Sequence, residues 1–341
     1  MIPRNKRGIF VCTACCAIQL PLHFMKQAPK VSYQLQGVFF VLLGAIAFSG
    51  KAILAKLVYI EYPLSVSALL VMRMGFSLPF FLYLLFRETA KKTSPEPWAI
   101  KWRILGIGVL GYYISSYFDF WGLQYISAGL ERIILFTYPA IVVLVSAWIY
   151  KAHVNVTQLL ALVLTYLGVG VAYFSDIQTG DARATTIGSL LIFGCAFTYA
   201  FYVIWSARII PKVGSAYFSG LAMQSATVLV ILHFIVAGND LTEFFRLPWK
   251  VYGYMLIMAI FTTVIPVLLI ASGLKRIGSS NVAIVSAVGP LATIFMASYF
   301  LGESFGWMQG IGTALVIAGV LLVGRKVRKD EMAKPSPELI Q

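Results

Sequence analysis

The fold is decided by residues 122–139, which read GLQYISAGLERIILFTYP and recur 151 residues later, at residues 273–290, as GLKRIGSSNVAIVSAVGP. Glycine, leucine and isoleucine coincide at the start of the two stretches, and proline coincides at the end. The same step joins further identical pairs, namely Gly37 with Gly188, Gln158 with Gln309, and Gly168 with Gly319. Recurrence at one fixed step is the signature of a repeated unit. The sequence therefore predicts one structural unit written twice.

The composition places both copies of this unit in a lipid bilayer. Of the 341 residues, 60% are hydrophobic and only 12% are charged, whereas a soluble domain carries roughly 25% charged residues. The net charge of +14 does not indicate a nucleic-acid partner, because the basic residues lie in short clusters between apolar runs. The four cysteines have no metal-ligand or disulfide spacing. We therefore predict a membrane protein without a metal site, a cofactor or bound nucleic acid.

Ten apolar stretches are long enough to cross a bilayer, which takes about 20 mainly apolar residues in a helix. They are residues 37–57, 64–86, 103–125, 128–150, 157–174, 188–208, 217–237, 252–272, 281–301 and 306–324. Five fall in each copy, and an odd number of spans turns the second copy upside down. We therefore predict an all-α integral membrane protein with ten transmembrane helices in two inverted five-helix repeats. The predicted domains are an N-terminal extension (1–36), a first repeat (37–174), a second repeat (188–324) and a basic tail (325–341).

Lysine and arginine residues predict the orientation of these spans, because they are enriched in cytoplasmic loops. With the N-terminus in the cytoplasm, twenty of them fall in inner segments and three in outer loops. The repeat supplies a second test. Gln124 and Tyr125 in a predicted outer turn become Lys275 and Arg276 in the second copy, where inversion makes the turn an inner one. Both termini are therefore predicted to be cytoplasmic.

The first thirty residues have no counterpart in the second copy. A basic start with Arg4, Lys6 and Arg7 precedes a short apolar run at residues 8–22. This pattern resembles the n-region and h-region of a signal peptide. The alternative is an upstream extension with Met25 as the true start of translation. The sequence leaves both interpretations open.

Six ionisable residues lie within the predicted spans of the first copy, and the second copy lacks their counterparts. They are Lys51, Lys56, Arg73, Asp119, Glu131 and Arg132. A charge at the bilayer centre costs about 2.5–3.5 kcal/mol, so such residues face a cavity or a partner rather than lipid. The predicted helix directions collect all six between the midplane and the outer surface. The residues one step later in the second copy are all uncharged: Tyr202, Ala207, Gln224, Ile270, Val282 and Ala283.

Two interpretations of these six charges stay open. In the first, they line the substrate pathway or its gate, and their net charge of plus two favours a substrate with a carboxylate or phosphate. In the second, they form an internal ion-pair network, such as Glu131 with Lys56 or Asp119 with Arg132.

A polar stripe and two prolines add further candidates. Tyr112, Ser115, Ser116 and Asp119 follow i, i+3, i+4, i+7 spacing and therefore share one helix face. We predict that this face lines water, which adds Tyr112 and Ser116 to the candidate pathway. Pro139 and Pro290 are predicted to kink their helices. Control of helix shape and a gating role are both open for them.

These features resemble the drug/metabolite transporter superfamily, and within it the EamA-domain proteins with a duplicated five-helix unit. Residues 122–139 are similar to the helix 3–4 junction of one bacterial branch of that family. Leu301, Gly302 and Glu303, followed by Gln309 and Gly312, match the family's helix 9–10 junction. The first copy departs from this pattern, since Lys151 and Ala152 replace the usual Gly-Glu pair. The family spans amino acids, other metabolites, drugs and phosphorylated sugars, and export of amino acids or related metabolites is common among its bacterial members.

The resemblance implies a secondary transporter of the bacterial inner membrane that exports a small polar or zwitterionic metabolite by alternating access. No Gly-rich, lysine-containing phosphate loop indicates ATP use, so the proton gradient or exchange would drive it. Asp119 or Glu131 is the best candidate proton carrier. The alternatives are a channel-like or structural membrane subunit, or a transporter of phosphorylated or anionic metabolites. An intramembrane enzyme is not indicated, because the three histidines are scattered along the chain and form no catalytic pattern.

Overall fold

The computed structural model describes residues 30–62, 64–92, 94–150, 156–179, 181–239 and 242–333, and within these ranges the regular structure is helical. Residues 1–29 of the predicted extension, Lys151 and Ala152, and the last residues of the tail lie outside the described residues. The α-helices are α1 (Lys30–Glu61), α2 (Val66–Ala90), α3 (Trp98–Gly108), α4 (Ser115–Gly122), α5 (Ala128–Leu135), α6 (Tyr138–Tyr150), α7 (Val156–Thr179), α8 (Ala182–Val213), α9 (Ser215–Val236), α10 (Thr242–Arg246), α11 (Trp249–Ala259), α12 (Ile265–Ser286), α13 (Val288–Met296) and α14 (Trp307–Ala333). Three π-helical segments, Val109–Ile114, Ile260–Val264 and Ala297–Leu301, join or extend them.

Seven helical segments within the described ranges are long and apolar enough to cross a membrane. They are Tyr33–Glu61, Val66–Ala90, Ala128–Ile149, Val156–Gln178, Ala182–Val213, Ser215–Val236 and Trp249–Ile270. Two shorter apolar helices, Val288–Leu301 and Trp307–Leu322, coincide with the last two predicted spans. The third predicted span is helical from α3 through α4, but it carries the polar stripe, which lowers its mean hydropathy. The chain is therefore a multi-pass helical membrane protein, and the number of ten spans stays a prediction.

Two of the π-helical segments recur in the structure at the same 151-residue spacing that relates the two copies in the sequence. α3 and α11 begin and end 151 residues apart, and each is followed at once by a π-helical segment, at Val109 and at Ile260. A π segment widens the helix by one residue and is common at functional sites. Because the same irregularity occurs at equivalent positions, the two copies share backbone geometry as well as sequence.

Two glycine contacts between helices are related to each other by the 151-residue step. A Cβ on Gly188 would lie 3.0 Å from the carbonyl oxygen of Gly122, and one on Gly273 would lie 3.1 Å from that of Gly37. Gly37 is the equivalent of Gly188, and Gly273 is the equivalent of Gly122, so each contact repeats the other with the two copies interchanged. Small residues allow helices in a membrane to approach this closely. The halves therefore pack on each other through reciprocal surfaces.

The second copy departs from the first at the predicted turn near residue 275. In the first copy the chain leaves helix between α4 and α5, whereas α12 continues from Ile265 to Ser286. Contacts with α1 show that the chain nonetheless reverses there. Ile277 lies against Gly37, yet Gly289 accepts a hydrogen bond from Ser49, further along α1. The reversal therefore lies between residues 277 and 289.

Pro139 and Pro290 both lie in the first turn of a helix that follows a break. The backbone leaves helix at residues 136–137, just before α6, and at Ala287, just before α13. A proline is favourable in a first turn, because its missing N–H would have no partner there. The two prolines therefore mark interruptions in the fourth and ninth predicted spans.

We predict that Gly168→Ala destabilises the protein while Gly170→Ala, in the same helix, does not. A Cβ on Gly168 would lie 2.6 Å from the carbonyl oxygen of Gly312 in α14, whereas a Cβ on Gly170 meets nothing within 4 Å. Overpacking of this kind costs typically 1–3 kcal/mol. Thermal unfolding of the two purified variants in detergent measures the difference. Equal midpoints would show that α7 and α14 separate without penalty.

Candidate functional site

Five of the six predicted charges form one buried group, which we call the charge cluster: Lys51, Arg73, Asp119, Glu131 and Arg132. They come from α1, α2, α4 and α5, and none of the five is more than 6% exposed. Two aromatic rings lie between the cations. Phe48 contacts Lys51 and Arg132, and Phe120 contacts Lys51 and Arg73, with each cation 5.1–5.6 Å from the ring centre. The helices of the first repeat therefore bring these charges together, away from lipid.

Lys51 is the centre of the cluster. Its ammonium forms an ion pair with Asp119, and it lies 3.9 Å from Oε1 of Glu131. The two pairings given as examples of an ion-pair network, Glu131 with Lys56 and Asp119 with Arg132, are not among the ion pairs of the described residues, where Lys51 is the partner of both carboxylates instead. One ammonium faces two carboxylates, which leaves an excess of negative charge at this point.

Arg73 is a buried cation held by hydroxyl groups. Its Nε donates to Oγ1 of Thr263 at 3.2 Å, and its Nη1 donates to Oγ of Ser116 at 3.4 Å. Within the described ranges it has no carboxylate within ion-pair distance. Thr263 belongs to the π-helical segment Ile260–Val264 of the second copy. Arg73 therefore lies where the two repeats meet, and Asp119 acts on its charge only from beyond ion-pair distance.

Arg132 also lies against the second copy. Its Nη2 donates to Oγ of Ser49 at 3.5 Å, and Ser49 donates to the carbonyl oxygen of Gly289 at 2.9 Å. A Cβ on Gly289 would lie only 3.1 Å from Nη2 of Arg132. The glycine before Pro290 therefore allows α13 to approach the guanidinium closely.

Several polar atoms of the cluster have no hydrogen-bond partner among the described residues. They are Oδ1 of Asp119, both carboxylate oxygens of Glu131 and Nε of Arg132. A buried polar atom without a partner destabilises a protein by about 1–3 kcal/mol. Such atoms mark places where a proton, an ion, water or a polar ligand can bind. The cluster is therefore suited to binding a proton or a polar ligand.

The three remaining predicted residues lie in different places. Lys56 is apart from the cluster, within electrostatic range of Glu303 and Asp176. Without it the cluster has three cations and two anions, so its net charge is plus one rather than the expected plus two. Ser116 joins the cluster through Arg73, and Tyr112 bonds through its hydroxyl to that of Tyr202 at 2.9 Å. Tyr202 occupies the position that Lys51 has in the first copy.

The polar stripe of the third predicted span faces protein more than water. Ser115 and Asp119 are buried, and Ser115 donates to the carbonyl oxygen of Cys195 in α8 at 3.3 Å. Sequence reasoning missed Ser49 and Thr263, because neutral hydroxyl residues carry no signal in an apolar helix. It also gave no partner for Glu303, whose carboxylate accepts from the backbone N–H groups of Ala128 and Gly129 at 2.9 and 3.3 Å. The family's junction motif was the available signal for Glu303.

A cavity of about 140 Å³ lies between α2, α9 and α12. Its lining includes Leu84, Ser215, Ser219, Val267 and Ser272. Leu84 precedes the basic end of α2, which is predicted to be cytoplasmic. Val267 is one helical turn after the threonine that binds Arg73. The cavity therefore lies on the predicted inner side of the threonine that binds Arg73.

Comparison with known proteins agrees with this architecture. The chain matches the EamA-like transporter family twice, over residues 35–174 and 186–325. It is 29% identical over 317 residues to the uncharacterized transporter YcbK of Bacillus subtilis, covering 91% of this chain and 98% of that one. It is 27% identical over 299 residues to the uncharacterized transporter YyaM of the same organism, covering 85% and 94%. A solved crystal structure with 16% identity shares the fold at a TM-score of 0.58, over 88% of this chain and 99% of the other.

The family match covers most of the chain and falls into two segments that agree with the two copies found by the 151-residue step. Its relatives along nearly their whole lengths are named transporters. The chain is therefore a member of the EamA-like transporter family, a multi-pass membrane transporter built from two repeats.

Proposed function

We propose that this protein is a secondary transporter of the bacterial inner membrane that exports a small polar or zwitterionic metabolite carrying an acidic group. It works by alternating access between two inverted five-helix halves, with both termini in the cytoplasm. The observation that carries the proposal is the charge cluster, in which five ionisable side chains of the first repeat are buried together and two of them, Arg73 and Arg132, lie against the second repeat. Ionisable side chains inside a membrane are costly and typically mark the pathway of a substrate or a proton.

The reciprocal glycine contacts support the inverted arrangement. A two-fold relation that exchanges the repeats also exchanges the inner and outer halves of the pathway, which is how inverted-repeat transporters alternate access. The excess of lysine and arginine in one set of loops supports the direction assigned to the chain. The cavity at the predicted inner end then corresponds to a conformation accessible from the cytoplasm.

The cluster supplies two chemical functions. Arg73 binds the acidic group of the substrate, because it has no carboxylate within ion-pair distance among the described residues and it lies where the two repeats meet. Asp119 and Glu131 share Lys51, so a proton on one of them restores the balance of charge around that ammonium. Loading and release of this proton couples transport to the proton gradient.

The function is tested in proteoliposomes with the substrate identified from metabolites exported by cells that have or lack the protein. We expect saturable counterflow by the native protein. We expect Glu131→Gln to reduce accumulation driven by a pH gradient at least about tenfold while counterflow persists, because amide replacement removes the proton-binding group. Glu61→Gln is the matched control, since Glu61 is a partly exposed carboxylate whose hydrogen bonds within the described ranges come from Lys250 and Tyr254. Flux without saturation or counterflow would identify a channel, and unchanged gradient-driven transport by Glu131→Gln would exclude the proton role.

A further inference from the structure

Glu303 joins the two repeats at the predicted outer side of the molecule. Its two carboxylate oxygens accept from the backbone N–H groups of Ala128 and Gly129, the first two residues of α5. Amides in a first helical turn have no partner inside the helix, and the helix dipole there favours a negative charge. The contact is therefore charge-assisted, and charge-assisted hydrogen bonds are roughly twice as strong as neutral ones.

A second contact lies beside the first. Ser127 caps α5 by accepting from Leu130 N–H, and its hydroxyl donates to Oδ2 of Asp176 at 2.8 Å. The other oxygen of Asp176 accepts from the side-chain amide of Gln309. Asp176 ends α7 in the first copy, and Gln309 begins α14 in the second. The Glu303 contact and the Ser127–Asp176–Gln309 contact therefore both link the two repeats at the start of α5.

The backbone around Glu303 is built for this placement. Gly302 adopts φ of +65°, a left-handed conformation that costs other residues about 1–2 kcal/mol. The turn reverses the chain after the π-helical segment Ala297–Leu301 and directs Glu303 toward α5. Lys56, within electrostatic range of Glu303 and Asp176, adds a cation from α1 beside these two carboxylates.

The helix that Glu303 holds carries part of the charge cluster. Glu131 and Arg132 lie in α5, within one turn of the two amides that Glu303 binds. Moving the start of α5 away from Glu303 therefore moves these two side chains as well. Closure of the outer side and the geometry of the cluster depend on the same contact.

The Glu303 contact has no acidic counterpart at the equivalent position of the first copy. One step of 151 residues before Glu303 is Ala152, and the residues equivalent to Ser127, Ala128 and Gly129 are Gly278, Ser279 and Ser280. An alanine has no carboxylate to offer to helix amides. The inner end consequently lacks the acidic half of the outer contact.

We propose that Glu303 is a positioning residue for transport, which latches the outer gate by binding the N-terminus of α5 and releases it when the protein opens outward. The proposal rests on the alternating-access function proposed above. In the latched state α5 presents Glu131 and Arg132 to a site reached from the inner side. Because the symmetry-related position is Ala152, the resting protein favours the inward-accessible conformation.

The latch is tested by labelling a single cysteine placed behind it. Ile294 of α13 is buried and faces Gly129, at 3.8 Å from a Cβ built on that glycine. Ile294→Cys is introduced after the four native cysteines are replaced by serine. Intact spheroplasts are then treated with a membrane-impermeant maleimide, which reacts with the new thiol only when the outer side opens. This measurement requires no substrate.

We expect slow labelling with Glu303 present, and labelling about tenfold faster with Glu303→Ala, since two charge-assisted hydrogen bonds are lost. Glu303→Gln keeps the size and one acceptor oxygen, so it should be intermediate and should fold if the alanine variant does not. Glu303→Asp should restore slow labelling in part. The matched control is Glu61→Ala, which removes another outer carboxylate and its ion pair with Lys250 without touching α5.

Labelling by the alanine and glutamine variants within twofold of the parent overturns the latch. So does an equal increase with Glu61→Ala, which would indicate general loosening. Either result leaves saturable counterflow by the native protein intact, so failure of the latch and failure of the transport function are distinguishable. Purified variants are checked for a single monodisperse species before labelling is compared.

Discussion

Replacing Lys51 by methionine is expected to lower the free energy of unfolding by about 3–5 kcal/mol, the range for removing one partner of a buried ion pair. The substitution keeps the length of the side chain, but it leaves Asp119 and Glu131 facing each other without the ammonium between them. Two carboxylates at membrane depth then lose the one cation that lies within ion-pair distance of both. Thermal unfolding of the purified protein in detergent measures the loss.

Lys250→Met is the matched control for this experiment. Lys250 also pairs with a carboxylate of α1, Glu61 at 2.7 Å, but its side chain is 53% exposed. Exposed ion pairs contribute about 0–1 kcal/mol, so the control should change stability little. Adding Asp119→Asn and Glu131→Gln to Lys51→Met should recover most of the lost stability. If the two lysine variants unfold alike, Lys51 does not hold the cluster together.

The sequence predicted the repeat because a duplicated unit keeps its spacing wherever packing depends on it. Gly37 and Gly188 survive in both copies because each lies against another helix at a distance that excludes a side chain. The π-helical segments were not predictable, since Val109–Ile114 and Ile260–Val264 share no breaker residue that announces them.

The charge cluster was predictable as a group but not in its pairings. The position of a residue along a predicted span gives its depth in the bilayer, and five of the six charges at similar depth proved to be neighbours. Depth does not give the direction in which a side chain faces, and that direction decides which charges pair. Lys51 and Lys56 are five residues apart, which places them roughly 140° apart around a helix of 3.6 residues per turn. Only one of them could face Asp119, and helical geometry alone would have separated them.

These contacts explain what the differences between the two copies do. The residue of the second copy that is equivalent to Lys51 is Tyr202, whose hydroxyl binds Tyr112 instead of a carboxylate. The residue of the first copy that is equivalent to Glu303 is Ala152. The first difference confines charge to one repeat, and the second confines the acidic outer contact to one end of the pathway. Glycines and prolines common to both copies maintain the shared framework within which these differences act.

Arg73→Met is expected to reduce transport on the order of 100-fold. Truncating one member of a buried charged contact weakens the free energy of binding by several kcal/mol, and here the other member is the acidic group of the substrate. The loss should appear mainly as weaker binding of substrates that carry a carboxylate or phosphate. A thermal-shift series with mono- and dicarboxylates and phosphate esters measures it directly, since a ligand that binds the folded state raises its midpoint. We expect such shifts with the native protein and their disappearance with Arg73→Met. Arg73→Lys should restore them only in part, because an ammonium lacks the planar fork of a guanidinium.

Stability separates this role from a structural one. Arg73 is held by Thr263 and Ser116, and among the described residues no carboxylate lies within ion-pair distance of it. Removing a buried cation that has no close ion-pair partner relieves a desolvation penalty, so Arg73→Met should unfold no earlier than the native protein. Lys51→Met should unfold much earlier, although both variants lose one positive charge from the same cluster. If Arg73→Met instead loses as much stability as Lys51→Met and ligand shifts persist, Arg73 is a structural residue and the acidic substrate group binds elsewhere.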